Sequence, residues 1–160
     1  MHDWESFLIA EVGASAALTG LIFVGVSINL KRVLSFPKLP SRALGALLLF
    51  ATVLIVSSLL LVPGQSLLAA GVELAVIGAA VWLTITLMDI SYWRNTKAKY
   101  RGTLLPLEVI NQIALLSYVA AGVLLLLGKP YGMYLVISAF LLSMVKGLLD
   151  SWVLLVEINR

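Results

Sequence analysis

The chain has 160 residues, of which 61% are hydrophobic and 12% charged, and its formal net charge is +3. A mean hydropathy of +1.07 excludes an ordinary water-soluble domain, in which about a quarter of residues are charged. The sequence has no cysteine, which excludes disulfides, thiolate metal centres and cysteine nucleophiles.

The first predicted element is an apolar helix over residues 7–30, long enough to cross the roughly 30 Å of bilayer hydrocarbon. The residues before it include Asp3 and Glu5 and lack the positive n-region of a secretory signal, so a retained membrane anchor is expected. At 100° per residue, Gly13, Ala16, Ala17, Gly20, Val24 and Ser27 fall on one stripe. Small residues at this spacing let helix backbones approach closely in lipid. Gly13, Ala17 and Gly20 are therefore expected to form a packing seam, first against a neighbouring helix of the same chain and second against another copy. Glu11, Ser15 and Asn29 lie on the opposite face.

A basic loop follows, with Lys31, Arg32, Lys38 and Arg42 around Phe36-Pro37-Lys38-Leu39-Pro40. The prolines interrupt a helix, and Ser41 suits the cap of a second one over residues 41–62. That segment carries only Thr52, Ser57 and Ser58 as polar residues, which can bond back to their own helix; it is expected to face lipid. After the turn Pro63-Gly64-Gln65-Ser66, a third helix over residues 66–90 carries Glu73. A second basic loop holds Arg94, Lys97, Lys99 and Arg101. The fourth helix, residues 104–127, places Glu108 and Gln112 on one face with Asn111 beside it. Gly128-Lys129-Pro130 then turns the chain into a fifth helix over residues 131–156, where Ser143, Lys146 and Asp150 share a face. Both hairpins, the second with the third and the fourth with the fifth, follow a basic loop, and 59–64 faintly echoes 124–130.

Basic loops stay on the cytoplasmic side of a membrane. The four-residue basic clusters therefore predict one all-α bundle of five transmembrane helices, with the N-terminus outside and the C-terminus cytoplasmic. Trp4, Tyr92, Trp93, Tyr100, Tyr131 and Tyr134 fall near the expected interfaces, as aromatic belts do. The same rule explains the basic residues without a nucleic-acid partner.

Carboxylates within membrane segments are costly and mark either helix–helix contacts or a functional path. Glu11 and Glu73 stand at similar depth near the outer end and would form an acidic pair if their faces met. Glu108, Lys146 and Asp150, with Asn111 and Gln112, are expected to form a cluster in the inner half. Together with Asn29 these are the candidate ion-binding or transport residues. The sequence has a single histidine, His2, and no P-loop, nucleophile elbow or dinucleotide motif, so no catalytic residue, metal or cofactor is expected.

The run over residues 13–30 (GASAALTGLIFVGVSINL), with Leu61-Val62-Pro63-Gly64-Gln65-Ser66, resembles small bacterial membrane proteins of unassigned function. The resemblance covers about a third of the chain and implies a bacterial inner-membrane setting. Three functions follow as expectations: a homo-oligomeric channel or small transporter for protons or inorganic cations; a non-transporting scaffold or regulatory subunit; and a lipid-handling membrane enzyme. Expected partners are membrane lipids, further copies of the chain and other membrane proteins.

Overall fold

The computed structural model describes residues 4–36, 39–94 and 98–158, with the side chains of 92, 93, 98–107 and 158 left undescribed. Lys38 and Lys97, and the side chains of Tyr92, Trp93, Lys99, Tyr100 and Arg101, lie outside the described residues. Among the described residues six helices are formed: α1 (Glu5–Ile28), α2 (Leu30–Ser35), α3 (Leu39–Leu60), α4 (Leu67–Arg94), α5 (Ala98–Leu126) and α6 (Gly132–Ile158). Five of them, all but α2, are long and apolar enough to span a membrane, as the sequence predicts.

The helix bounds differ from expectation most clearly around the first loop, while α4 runs on to Arg94 and α5 begins at Ala98. α3 starts at Leu39 with Pro40 in its first turn, where a proline loses no helical hydrogen bond, so Ser41 is inside the helix and does not cap it. The additional helix α2 follows α1 after a break at Asn29. Asn29 leaves helical geometry (φ −105°, ψ 18°), and its side-chain amide donates to the Gly25 carbonyl at 3.0 Å. Val33 anchors α2 in a small cluster with Leu39, Ala43 and Leu154.

Helices α3 to α6 form a four-helix ring: each packs on the next, and α6 returns to α3. α1 lies outside it, packed mainly along α3 and only slightly on α6. Half of the α3 span is buried (50%) against 11% of α1. The expectation that the second segment faces lipid is thus overturned. In a bilayer, the apolar residues of a central helix look like those of a lipid-facing one, because lipid tails are as apolar as leucine. Thr52 and Ser58 do bond back to Leu48 and Leu54 carbonyls, while the buried Ser57 hydroxyl has no partner.

Close backbone approach occurs between α4 and α5 instead of along α1. A Cβ on Gly122 would lie 2.5 Å from the Ala75 amide nitrogen, one on Gly71 2.8 Å from the Leu126 nitrogen, and one on Gly78 2.8 Å from Tyr118 Cβ. At Gly13 and Gly20 a Cβ would meet nothing within 4 Å, and Ala17 is exposed. The stripe on α1 therefore points away from the chain, and its expected intrachain packing is not formed. The polar face opposite turns inward: Ser15 is fully buried and Thr19 donates to its carbonyl at 2.7 Å. The two hairpin turns each carry a glycine at positive φ, Gly64 and Gly128, both at 71°. Backbone bonds from Gly128 to Leu125 and from Lys129 to Leu124, both 2.9 Å, close α5 in the manner of a left-handed glycine cap.

Candidate functional site

Four helices deliver charge to one place near the basic end of the ring. α3 brings Arg42, α4 brings Asp89, α5 brings Glu108 and Asn111, and α6 brings Lys146 and Asp150; all line a cavity of about 50 Å³. The i, i+4 spacing of Lys146 and Asp150 on α6 places them in direct contact as a buried ion pair. Arg42 Nε lies 3.9 Å from the other Asp150 oxygen, so Asp150 ties α3 to α6. Lys146 and Asp150 are each 5% exposed, so this pair is shielded from solvent.

The second half of the site lies between α4 and α5. Asp89 and Glu108 line the same small cavity as Lys146. Ionised carboxylates only accept hydrogen bonds, so two of them can bond to one another only by sharing a proton. Asn111 Nδ2 donates to Asp89 Oδ2 at 3.3 Å. Its own Oδ1 and Glu108 Oε2 are buried without a partner, although both residues line the cavity. Buried polar groups in folded proteins are normally satisfied by protein, water or ion, and a cavity of this size admits only a few water molecules or one small ion. Two cations and three carboxylates give a net charge of −1 when all are ionised; one proton makes the site neutral.

The expected inner cluster of Glu108, Lys146, Asp150 and Asn111 therefore shares one cavity. Gln112 does not join it: its Oε1 accepts from Trp82 Nε1 at 2.7 Å and its Nε2 donates to Thr86 Oγ1 at 3.2 Å, which places it in the α4–α5 seam. Sequence reasoning missed Arg42 as a site residue and missed Asp89 altogether. Asp89 precedes the expected end of its segment by one residue and so reads as a boundary charge. In the structure α4 continues to Arg94, which carries Asp89 more than a turn inward.

The expected outer pair is not brought together in the same way. Glu73 Oε2 accepts from Gln65 Nε2 at 2.5 Å, a local bond that ties α4 to the turn before it. Glu11 is on α1, which makes no extensive contact with α4. Its Oε2 is buried without a partner. Tyr118 and Ser143, both fully buried, share a hydrogen bond of 3.2 Å between their hydroxyls. Ser143 stands one turn above Lys146 on α6. Tyr118–Ser143 and the inner cavity thus place polar groups in succession along α6, in a core that also buries Ser15, Thr52 and Ser57.

Among the described residues, no group of three or more His, Cys, Asp or Glu side chains is arranged to hold a metal ion. Asn29, the remaining candidate, stands at the α1–α2 break, away from the cavity lining. No family model, no curated protein and no solved structure matches the chain.

Proposed function

We propose that this chain is a small membrane transport protein that passes protons through its four-helix ring, in assemblies of identical copies. The observation that carries the reading is the convergence of Arg42, Asp89, Glu108, Lys146 and Asp150 on one small cavity. Intramembrane ionisable residues are costly and concentrate where ions or protons move. The Asp89–Glu108 pair supplies a site for one exchangeable proton. A proton taken up by a carboxyl needs no further ligands, whereas sodium or potassium would have to fit beside Arg42 and Lys146 in about 50 Å³, so the proton is favoured. Above the cavity, the Tyr118 and Ser143 hydroxyls can each accept one proton and donate another, and Glu11 offers a carboxyl toward the opposite membrane face.

The reading includes a topology and a setting. Lys31, Arg32, Arg42 and Arg94 mark the cytoplasmic side by the positive-inside rule, with the N-terminus outside and the C-terminus inside, in the inner membrane of a bacterium. The outward stripe of Gly13, Ala17 and Gly20 on α1, open to close approach, suits contact with a second copy.

A non-transporting scaffold draws on a different observation: Asp150 bridges Lys146 and Arg42, which locks α3 to α6. Reconstitution separates the two. Purified protein is placed in liposomes containing a pH-sensitive dye, and a potassium diffusion potential drives proton entry. Transport predicts flux from wild type that is lost in the combined variant Glu108→Gln, Lys146→Met, Asp150→Asn while that variant remains folded. A scaffold predicts no flux from wild type under any proton gradient.

A further inference from the structure

A second cavity lies outside the ring, between the peripheral helix and the bundle. It measures about 250 Å³ and is walled by Leu18 and Gly25 of α1, Asn29 at the break after it, Phe50 of α3, and Leu148 and Leu155 of α6. The cleft exists because α1 leans on α3 and barely touches α6. Gly25 contributes no side chain to it, and a Cβ there would meet nothing within 4 Å.

Two features say what covers this cleft. From Leu18 to Asn29 the α1 wall rises over eleven residues, roughly 16 Å at 1.5 Å per residue. That length matches one leaflet of hydrocarbon, half of a core about 30 Å thick. At its Asn29 end the cleft adjoins a second cavity lined by Ser27, Asn29, Lys31 and Arg32. Both basic residues are exposed, while Val33 beside them is fixed in the core. An apolar slot one leaflet deep thus ends at a pair of cationic side chains held on an anchored helix.

We propose that this cleft binds an anionic phospholipid, its acyl chain lying between α1 and α6 and its phosphate on Lys31 and Arg32. The lipid fills the space that α1 leaves against α6 and so fastens the peripheral helix to the ring. Asn29, which lines both cavities, marks the level of the glycerol backbone. The proposal is independent of proton transport, since none of these residues lines the inner cavity.

Native mass spectrometry of the detergent-purified protein, titrated with phosphatidylglycerol or phosphatidylcholine, tests it. Each basic residue near an anionic lipid contributes about fivefold in binding, so wild type, with two, should prefer phosphatidylglycerol by on the order of 30-fold. Lys31→Gln with Arg32→Gln should abolish that preference while leaving phosphatidylcholine retention unchanged. Gly25→Leu, which places a side chain in the slot, should reduce retention of both lipids, with a thermal unfolding curve confirming that it folds. Equal retention of the two lipids by wild type would overturn the proposal. So would full lipid retention in Gly25→Leu, or a crosslink from Gly25→Cys to another copy of the chain in lipid, which would show a second protomer in the cleft.

Discussion

Gly122→Ala is the smallest change that tests the packing of the ring. The added methyl would sit 2.5 Å from the Ala75 nitrogen and 2.9 Å from Ala75 Cα and Cβ. Carbon atoms in contact normally stand about 3.5–4.0 Å apart, so α4 and α5 must separate by about 1 Å. The obstacle is backbone, which cannot rotate away as a side chain does. The movement also loosens the contacts at Gly71 and Gly78, because all three glycines lie along one seam. Overpacking in a close-packed interior costs roughly 1–3 kcal/mol, and the backbone contact places Gly122→Ala at the upper end, near 3 kcal/mol. Gly20→Ala makes the same chemical change where a Cβ meets nothing within 4 Å, and its unfolding should match wild type. Titration of both purified variants from mild detergent into dodecyl sulfate, followed by far-UV circular dichroism, measures the difference. Wild-type unfolding of Gly122→Ala together with destabilisation of Gly20→Ala would refute the assignment of the close seam to α4 and α5.

Lys146→Met removes the cation paired with Asp150 and should destabilise by about 3 kcal/mol or more, as loss of one partner from a buried pair does; the combined Glu108→Gln, Lys146→Met, Asp150→Asn variant should recover most of that loss in the same titration. If copies meet along the α1 stripe as proposed, Gly20→Leu should weaken self-association in sedimentation experiments without changing the unfolding of the protomer, because its side chain enters that contact and not the ring. Tyr118→Phe removes the hydroxyl that meets Ser143 and should cost only about 0.6 kcal/mol, the average for interhelical hydrogen bonds in membranes, while proton flux in liposomes falls sharply. Cysteines at Gln65 and Lys129 should react with an impermeant thiol reagent added outside cells, and one at Arg32 should not.

The five spans were legible because length and hydropathy alone define them, and Pro63-Gly64 and Gly128-Lys129-Pro130 punctuate them. α2 was not, since six residues carrying Lys31 and Arg32 give no spanning signal and read as a loop. Which helix is central was also hidden. α3 has the fewest polar residues yet is half buried, whereas α1, with Glu11, Ser15 and Asn29, lies at the periphery. Polarity sorts inside from outside in water, but in lipid it does so only for the few polar residues present. The glycine pattern misled for the same reason: Gly13, Ala17 and Gly20 on α1 and Gly71, Ala75 and Gly78 on α4 have similar spacing, and only packing tells them apart. In the inner cluster, helical periodicity correctly grouped Lys146 with Asp150 and aligned Glu108 with them in depth. Arg42 and Asp89 escaped because charges near the end of an apolar segment are already explained by topology. Gln112 was grouped with Glu108 by its angle around α5, and only the placement of Trp82 and Thr86 shows that it belongs to the seam.

The proposed proton transport requires the Asp89–Glu108 pair to hold one exchangeable proton in the inner cavity. Asp89→Asn replaces one carboxyl with an amide of the same shape, which can still donate to Glu108 but cannot take up or release the proton. Proton flux in liposomes, measured for this variant beside wild type at matched protein content and with unfolding curves recorded for both, tests the claim most directly. The predicted result is flux from wild type that falls to the level of empty liposomes in Asp89→Asn, with both proteins equally folded. Undiminished flux from Asp89→Asn, or none from wild type under any proton gradient, would contradict it.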